Sequence, residues 1–519
     1  MWRLEDPQGN EAAKVKHEIV PYTRGRGLDL GCGIYKTYSH FIGIDSKKQY
    51  KGASPADEMA LSMSVDVTCD CAKLDLFTSN SMDFVFSSHL LEHIENTRAA
   101  LKEWWRVIKP EGHLVLYLPH KEYYPNVGQP GANPDHKHDF LPRDIIEHMK
   151  TLGGWDLLVS EERNQDREYS FFQVYRKKSG KEQTYSYAAE KPSKTCAVVR
   201  YGGFGDMIQT ASVFPALVEQ GYHITMFTTP RGYDIVKTDP YIDEFVIQDD
   251  DQVKNEELYE YWSVHEKKYD KWINLCESVE GTFLGMQGRA PTLWPHSARH
   301  KLLNVNYLEF THEIAGVPYR PRPAYFPTRK EAKKAKKRYE RLSQGDRLIM
   351  WTLAGSSPHK NWPYLDQVIA RLMLTTKDAR VLLVGDGLCQ MLESGWENEP
   401  RVVRRSGEWD IRETLALAPL CDLVIGPETG ILNAVSMLET PKVLLLSHSS
   451  IENLSRDWIN CVNLTPRGCS CWPCHLMHHS FAMCSRDQET GVAECQAKIP
   501  AEAMIDAINL QLTKYRRAA

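Results

Sequence analysis

The sequence predicts an α/β protein with two separate parallel sheets, and three observations support this fold class. Apolar runs typical of strands alternate with amphipathic segments twice, from about residue 26 to 176 and again from about residue 195 to the C-terminus. The chain has 519 residues, enough for several domains at roughly 100–200 residues each. Hydrophobic residues make up 42% and charged residues 25%, which is close to the globular average and excludes wholesale disorder.

Charge and cysteine usage lead us to expect a cytoplasmic protein. The formal net charge is −5, from 63 basic and 68 acidic residues, so a nucleic-acid partner is disfavoured but stays open. No stretch reaches the roughly 18 uninterrupted apolar residues of a membrane span, and the first residues lack the apolar core of a signal peptide. Most of the 13 cysteines are scattered, as expected in a reducing compartment.

A polar stretch and a proline-rich stretch divide the chain. The sequence KKSGKEQTYSYAAEKPSK lacks apolar periodicity and predicts a linker at residues 179–194, after a first domain of residues 1–178. The sequence VPYRPRPAYFP cannot continue a helix or a central strand. We therefore expect the second half to divide into subdomains of residues 195–322 and 323–519.

The first domain starts with a glycine turn between two strands. The sequence GRGLDLGCGIYKTYSHFIGID predicts a strand, a turn, a short connection and a second strand that ends at Asp45. Gly31 and Gly33 permit a turn tight enough for a ligand to approach the backbone, and a carboxylate at Asp45 can accept hydrogen bonds from two ribose hydroxyls. The stretches DVTCDC, SMDFVFSSHLLEHI and LKEWWRVIKPEGHLVLYLPH follow in order.

Together these stretches resemble a class I S-adenosylmethionine-dependent methyltransferase over about residues 25–178. The resemblance implies a Rossmann-like methyltransferase fold with S-adenosylmethionine as cofactor. The implied cofactor contacts are Asp29, Gly31 and Gly33 for the methionine part, Asp45 for the ribose, Asp70 and Cys71 for the adenine, and His89 where cofactor and substrate meet. The connection from Gly33 to Asp45 is short and lacks a third glycine, so the first helix is expected to be abbreviated.

The loop sequence NPDHKHDF places two histidines and a carboxylate close together in the chain. His136, His138 and Asp139 are residue types that bind metals. Neighbouring histidines in a loop are more often surface or substrate-contact groups, and the sequence offers no further ligand beside them. We therefore assign no metal to this loop.

The second half opens with a strand, a glycine-rich loop and a helix, in AVVRYGGFGDMIQTASVFPALVEQ. The loop brings Asp206 to the N-terminus of the helix, where the helix dipole favours the ionised carboxylate. Such a carboxylate can serve as a general base. It can equally be a helix cap, and the two roles are compatible.

The last segment contains two further loops that follow strands. In RLIMWTLAGSSPHKNWPYLDQVIARL, the residues Ser356, Ser357 and Lys360 precede a helix and form a phosphate-receiving arrangement. In DLVIGPETGILNAVSML, the loop carries Glu428, Thr429 and Gly430 into a helix that contains Asn433. Groups at the carboxyl ends of parallel strands are where an open α/β sheet binds its ligand.

These motifs resemble glycosyltransferase family 9, the heptosyltransferase family of two-Rossmann-domain (GT-B) enzymes, from about Thr195 to Ala519. The resemblance implies inverting sugar transfer from a nucleoside-diphosphate donor, with Asp206 as base and Ser356, Ser357 and Lys360 in the diphosphate loop. The family's other loop usually reads Asp-Ser/Thr-Gly with a histidine three residues on. Here Glu428, Thr429, Gly430 and Asn433 stand at those places, so heptose is not implied as the donor sugar.

A cysteine cluster near the C-terminus has the spacing C-x-C-x2-C-x9-C. Cys469, Cys471, Cys474 and Cys484 could bind a structural zinc ion, with Cys495, His475, His478 or His479 as further ligands within the segment 469–495. Free thiols or a disulfide are the alternatives, because the first spacing is irregular for zinc.

The fusion predicts a bifunctional enzyme that transfers a sugar to a glycan or glycosylated acceptor and methylates the product. Tethering raises the effective concentration of one domain's product at the other site. Two alternatives stay open. In the first, the methyltransferase-like domain is a non-catalytic binding module. In the second, the glycosyltransferase acts on modified DNA bases.

Overall fold

A computed structural model describes residues 10–46, 55–180, 184–187, 192–250, 252–276, 285–286, 290–355, 357–477 and 484–514. The chain forms two units, which are Met1–Ser193 with Gln248–Lys268, and Lys194–Ile247 with Tyr269–Ala519. This division differs from the predicted boundaries, because a segment from the second half of the sequence belongs to the first unit.

The first unit is built on one eight-stranded sheet. Its helices are α1 (Pro55–Ser64), α2 (Thr97–Val107) and α3 (Pro142–Met149), and its strands are β1 (Gly27–Leu30), β2 (Ile42–Asp45), β3 (Val67–Thr68), β4 (Met82–Ser88), β5 (Ile108–Pro119), β6 (Trp155–Arg163), β7 (Ser170–Lys177) and β8 (Tyr185–Tyr187). The strand order is β3-β2-β1-β4-β5-β7-β6-β8. Strands β1 to β5 run parallel, and β7 is antiparallel to both of its neighbours.

Local sequence explains why α2 forms and how it packs. The Asn96 side chain accepts a hydrogen bond from the Ala99 amide and so caps the helix N-terminus. The apolar face of α2 buries Leu101, Trp104 and other residues against the sheet. The Trp104 ring nitrogen donates to the Cys71 carbonyl at 2.7 Å, which ties the helix to the turn after β3.

The predicted linker contains an edge strand. Tyr185–Tyr187 pair with Trp155–Leu157 as β8, parallel to β6. The Tyr185 hydroxyl donates to the Lys150 carbonyl at 2.5 Å, and its ring packs against that of Trp155. Tyr185 is thus half-buried against Trp155, whereas Tyr187 is 57% exposed. Composition alone did not weigh this packing of Tyr185.

The segment Gln248–Lys268 contains helix α7 (Leu258–Glu266) and packs on the start of the chain. The Gln252 amide donates to the Val20 carbonyl at 2.7 Å, and Lys268 lies 2.7 Å from the carboxylate of Glu18. These long-range contacts explain why the segment belongs to the first unit.

The second unit begins with a four-stranded sheet. Its strands are β9 (Thr195–Val199), β10 (His223–Thr228), β11 (Glu244–Ile247) and β12 (Lys271–Asn274), and its helices are α4 (Phe204–Thr210), α5 (Phe214–Glu219), α6 (Pro230–Val236), α8 (His296–Leu303) and α9 (Tyr307–Ala315). The strand order is β11-β10-β9-β12, and all pairs are parallel. A short strand, β13 (Gly285–Met286), pairs in parallel with Leu476–Met477 near the C-terminus.

The remainder of the unit forms a six-stranded parallel sheet. Its strands are β14 (Arg347–Thr352), β15 (Ala379–Val384), β16 (Val402–Arg404), β17 (Leu423–Pro427), β18 (Lys442–Leu445) and β19 (Cys461–Leu464), followed by β20 (Leu476–Met477). Its helices are α10 (Arg329–Ser343), α11 (Leu365–Thr375), α12 (Ile411–Leu417), α13 (Gly430–Val435), α14 (Glu494–Ala497) and α15 (Ala501–Lys514). The order β16-β15-β14-β17-β18-β19 is that of a dinucleotide-binding sheet.

These sheets confirm the predicted fold class, a Rossmann-like first domain followed by a pair of Rossmann-like subdomains. The central strands are buried along their whole length, as expected when helices cover both faces of a parallel sheet. Within the described parts of the chain, no helix combines the length and the apolar character needed to cross a bilayer.

Candidate functional sites

The glycine turn of the first unit lies at the carboxyl end of β1. Gly31 and Gly33 have φ values of +71° and +53°, which residues with a side chain rarely adopt. A Cβ on Gly31 would also lie 2.9 Å from the side chain of Leu90. No helix forms between β1 and β2, so the expected abbreviation of the first helix is complete.

Asp29 and Asp45 flank this turn and are both buried. The Asp29 carboxylate accepts a hydrogen bond from the Thr37 amide, and burial raises its pKa to about 6. The Asp45 carboxylate accepts from the Gly33 amide at 2.8 Å, and burial raises its pKa as well. The turn is therefore folded onto the carboxylate that was predicted to hold a ribose.

The two residues predicted at the adenine differ in their surroundings. Asp70 is exposed and accepts a hydrogen bond from the Ala72 amide. The Cys71 thiol is buried in the core and lies 3.7 Å from the Ile44 carbonyl, and burial raises its pKa to about 12. Because its thiol packs in the core, Cys71 can offer a ligand only its backbone.

His89 follows β4 directly, with φ of +47°. Its Nε2 lies 2.9 Å from the Ser170 hydroxyl, and its ring packs near those of Tyr117 and Tyr169. Burial lowers the pKa of His89 to about 3, so the ring is neutral at physiological pH.

A group of histidines surrounds the buried carboxyl of Glu92, just after β4. The Glu92 Oε1 atom lies 3.9 Å from His89 Nδ1, 3.8 Å from His93 Nε2 and 3.8 Å from His136 Nε2. Burial raises the pKa of Glu92 to about 8 and lowers that of His93 and His136. Only His136 of the loop NPDHKHDF joins this group.

The other two members of that loop point elsewhere. His138 Nε2 lies 3.1 Å from the Glu95 carbonyl, and Asp139 accepts from the Val127 amide. Sequence reasoning missed Glu92 and His93, although the adjacent pair Glu-His in SMDFVFSSHLLEHI was the available signal.

Asp206 lies in the first turn of α4, in the second unit. One carboxylate oxygen accepts from the Gly203 amide at 2.7 Å, so the residue does cap its helix. The other lies 2.9 Å from the guanidinium of Arg200 and accepts from the Tyr307 hydroxyl at 3.0 Å. Arg200 is fully buried, whereas the side chain of Asp206 is 31% exposed.

The loops at the carboxyl ends of β9 and β17 meet in the second unit. A Cβ on Gly430 would lie 2.9 Å from Phe204 Cβ and 3.0 Å from the Gly205 nitrogen, so only glycine permits this approach. The Gln209 amide donates to Asn433 Oδ1 at 3.0 Å across the same junction. The carboxyl edges of the two sheets therefore face each other, with Asp206 beside the contact.

The side chain of Glu428 binds the neighbouring loop. Its Oε1 accepts from the amides of Ser447 and Ser449, and its Oε2 lies 2.8 Å from His448 Nδ1. Burial opposes its ionisation, but His448 and Lys360 together hold the pKa of Glu428 well below its usual range. The carboxylate is thus committed within the protein and does not face an open cavity.

Lys360 and Ser357 belong to the same buried network. Lys360 is 4% exposed and donates to the Glu428 carbonyl at 3.0 Å. The Ser357 hydroxyl lies 2.6 Å from His359 Nδ1, and His359 Nε2 lies 3.4 Å from His448. Ser356 lies outside the described residues.

Thr429 and Asn433 hold the start of α13. The Thr429 hydroxyl accepts from the Leu432 amide as the helix cap and lies 3.2 Å from the hydroxyl of Thr352. The Asn433 amide donates to the Thr429 carbonyl at 3.1 Å.

The cysteine cluster is not assembled as the predicted zinc site. Cys469 and Cys471 are the closest pair, with sulfurs 3.6 Å apart. The hydrogen bond from Cys471 lowers the pKa of Cys469 to about 6, whereas burial raises the pKa of Cys474 to about 12 and of Cys484 to about 11. In the described part of the chain, no three of these sulfurs come within 4.8 Å of one another.

The further ligands proposed for that cluster are also placed differently. His475 is fully buried, and its Nε2 lies 3.1 Å from His300 Nδ1. Burial raises the pKa of Cys495. His478 and His479 lie outside the described residues.

Two surface cavities lie away from all these residues. One, of about 440 Å³, is lined by Glu393, Val402, Arg404 and their neighbours. The other, of about 340 Å³, lies between Tyr364 and Lys498. Neither cavity is lined by a predicted site residue.

Residues 28–116 match a methyltransferase domain. The matched residues run from β1 into β5 and include the glycine turn, Asp45, Glu92 and His93, but not His136. No curated protein matches the chain.

Solved structures resemble the other part of the chain. A family 9 glycosyl transferase from Veillonella parvula is 16% identical, with a TM-score of 0.45, over 63% of this chain and 99% of that chain. The ADP-heptose lps heptosyltransferase II of E. coli is 15% identical, with a TM-score of 0.43, over 62% and 99%. The iron-containing dodecameric glycosyltransferase TibC from enterotoxigenic E. coli H10407 is 17% identical, with a TM-score of 0.42, over 66% and 86%. At these values the similarities carry no argument about activity.

The structure brings seven of the predicted residues together in two places. Asp29, Gly31, Gly33 and Asp45 meet at one sheet edge of the first unit. Lys360, Glu428 and Thr429 meet at one edge in the second unit. The partners Arg200 and Tyr307 were not predicted. Arg200 lies in the stretch AVVRYGGFGDMIQ but was not singled out, and Tyr307 belongs to none of the quoted motifs.

Proposed function

We propose that the second unit transfers a sugar from a nucleoside diphosphate to an acceptor hydroxyl with inversion, and that the first unit methylates the same glycan. The observation that carries the proposal is the meeting of two carboxyl-edge loops beside Asp206, because parallel α/β sheets bind ligands at that edge. The sequence resemblance to family 9 glycosyltransferases supports the class of donor.

Asp206 is the proposed general base. The acceptor oxygen forms a bond to the anomeric carbon from the face opposite the diphosphate, the bond to the diphosphate oxygen breaks with its electron pair, and the acceptor proton passes to Asp206. Arg200 and Tyr307 hold the carboxylate in one orientation. A carboxylate that is one-third exposed is accessible to an acceptor.

Lys360 is the proposed positive group for the departing diphosphate. It follows β14 at the carboxyl edge of the six-stranded sheet, and a Cβ on Gly355 would lie 2.6 Å from its chain, so the loop backbone approaches it closely. Glu428 holds the ammonium group between its carbonyl and its carboxylate. A diphosphate must compete with these oxygens, and Lys360 is preorganised to meet it.

The experiment that tests glycosyl transfer is a screen of nucleoside-diphosphate sugars for diphosphate release by the full chain. We expect release with at least one donor, enhanced by a glycan acceptor. Lys360→Ala should weaken donor binding, whereas Lys377→Ala, in the exposed turn before β15, should leave it unchanged. Equal affinity of the two variants would remove the role of Lys360.

The residues of the first unit fit S-adenosylmethionine. Two glycines with positive φ open the backbone beside the buried carboxylates of Asp29 and Asp45. The bound cofactor would supply an electrophilic methyl group. Asp45 would hold the ribose, the Gly31–Gly33 turn would receive the methionine part, and His89 would face the acceptor side.

A specific contact also favours the alternative of a non-catalytic first unit. The Asp45 carboxylate already accepts the Gly33 amide, and no helix follows the turn. Calorimetry with S-adenosylmethionine on the full chain separates the two cases. Binding supports the methyltransferase proposal, and the absence of binding supports the module.

A further inference from the structure

The buried carboxyl of Glu92 lacks any hydrogen-bond partner for either oxygen within the described residues, although its side chain is fully buried. An isolated buried polar group of this kind costs free energy unless something binds it. In the first unit, the imidazoles of three histidines surround it, and imidazole with carboxylate is a donor set of transition-metal sites.

The distances around Glu92 suit an ion better than direct hydrogen bonds. The nitrogens of His89, His93 and His136 lie 3.8–3.9 Å from Glu92 Oε1, beyond hydrogen-bonding range. Ligands of a tetrahedral ion at about 2.1 Å lie about 3.4 Å from one another. A contraction of a few tenths of an ångström would bring the His93 and His136 nitrogens to that distance from Glu92 Oε1. One donor atom each from Glu92, His93 and His136 lie within 4.8 Å of one another.

Backbone contacts bring the ligand-bearing segments together without help from a metal. A single turn of 3₁₀-helix, Leu91–His93, follows β4 and carries two of the side chains. The amides of Lys137 and His138 donate to the Glu92 carbonyl at 2.8 and 3.3 Å, which fixes the loop that carries His136. The donors are therefore preorganised by the fold.

The second nitrogen of His89 has a separate partner. His89 Nε2 lies 2.9 Å from the Ser170 hydroxyl, which leaves Nδ1 directed toward Glu92. Ser170 therefore fixes the His89 ring at the border of the Glu92 group.

We propose that Glu92, His93 and His136 bind a divalent transition-metal ion of the Zn²⁺ or Fe²⁺ class in the first unit. Imidazole with one carboxylate suits these ions, whereas Mg²⁺ and Ca²⁺ prefer a shell of oxygens. This site is separate from the cysteines of the second unit and does not depend on either transfer reaction.

The test uses Co²⁺ as the probe on the full chain after removal of bound metal. Bound equivalents are counted by elemental analysis after dialysis. Glu92→Gln and His136→Ala should each lose one equivalent relative to the wild type. His138→Ala, in the same loop but bonded to the Glu95 carbonyl, should keep it.

Absorption spectra separate this site from the cysteine cluster. Thiolate ligands give Co²⁺ an intense near-ultraviolet charge-transfer band, which a site of imidazole and carboxylate lacks. Loss of one Co²⁺ equivalent in Glu92→Gln should therefore leave the intensity of that band unchanged. Equal metal content in wild type, Glu92→Gln and His136→Ala would overturn the proposal, as would loss confined to thiolate-bound metal.

A measurement on the wild type covers the case in which a variant does not fold. X-ray absorption of the wild type loaded with Co²⁺ should show a nitrogen- and oxygen-ligated ion in addition to any sulfur-ligated one. A spectrum with sulfur ligands alone, or with hydrated ion alone, would contradict the site.

Discussion

The carboxylates of the two candidate sites have opposite electrostatic surroundings. In the first unit, Asp29, Asp45 and Glu92 lie near the carboxyl ends of β1, β2 and β4, and burial raises the pKa of each. In the second unit, Asp206 pairs with Arg200, and Glu428 pairs with Lys360 and His448. At the site of the first unit, a proton or a bound cation must balance the carboxylate charge. At the site of the second unit, positively charged side chains of the protein balance it.

This difference predicts different responses to ligand. The sites of the first unit should change their protonation when a cationic group binds, because a nearby positive charge favours the ionised carboxylate. The sites of the second unit are preorganised and should bind with little change. Each of the four experiments below perturbs one member of the comparison.

The largest expected effect is on glycosyl transfer by Asp206→Asn. Loss of the base should lower turnover roughly 10²- to 10⁴-fold while donor affinity changes little. The amide keeps the hydrogen bond from Gly203 but leaves Arg200 without its negative partner, so stability must be measured in parallel. Tyr307→Phe is the control, since it removes one contact and keeps the charge. Near-normal turnover by folded Asp206→Asn protein would refute the base assignment.

The second prediction concerns the built-in pair at Glu428. Glu428→Gln keeps the shape but leaves Lys360 buried without its negative partner, so unfolding free energy should fall by about 3–5 kcal/mol. Urea unfolding of the full chain measures it. Glu439→Gln, near an exposed contact with Asn460, should change stability little. Equal stability of both variants would mean that the pair is not held as described.

The third prediction is a pH dependence of the first unit. The folded-state pKa of Asp29 is raised to about 6 from 3.8, so the folded protein binds this proton more tightly than the unfolded chain does. The stability that Asp29 contributes, about 3 kcal/mol, is present below pH 3.8 and is lost as the pH rises through 6. Asp29→Asn should abolish this loss of unfolding free energy. Urea unfolding, monitored by proteolytic cleavage within the first unit, measures it. An unchanged pH profile in the variant would contradict it.

Glu18 of the same unit supplies a control of opposite sign. Burial opposes its ionisation, but Arg163 and Lys268 lower its pKa from 4.5 to about 2. The stability from Glu18 is therefore present above pH 4.5 and is lost as the pH falls toward 2. Glu18→Gln should flatten the acid side of the profile and leave the range between pH 4.5 and 6 unchanged.

The smallest expected effect is on binding of S-adenosylmethionine by Asp45→Asn. Loss of a charged acceptor for ribose hydroxyls should cost about 1.5–3 kcal/mol of affinity. Calorimetry measures it, with Asp75→Asn at an exposed position as the control. Unchanged affinity in Asp45→Asn would place the ribose elsewhere.

Local patterns made much of this protein predictable. The alternation of strands and helices predicted the parallel sheets, and the glycines at 31 and 33 predicted a turn that the positive φ values confirm. Asp206 was predicted both as a cap and as a base, and the cap is observed because it depends only on residues three positions apart. The place of Gln248–Lys268 in the first unit and the strand β8 were not predicted, since they depend on long-range packing.

The sequence by itself determined the fold class, the turns at strand ends and the residues placed at them, because these follow from local periodicity and backbone sterics. The tertiary structure alone decided which distant side chains meet. Tyr307 reaches Asp206 across 101 positions, Gln209 reaches Asn433 across 224, and His136 joins Glu92 only when the loop after β5 folds over the end of β4. Such contacts depend on how helices and loops pack on a sheet, and no local spacing encodes them.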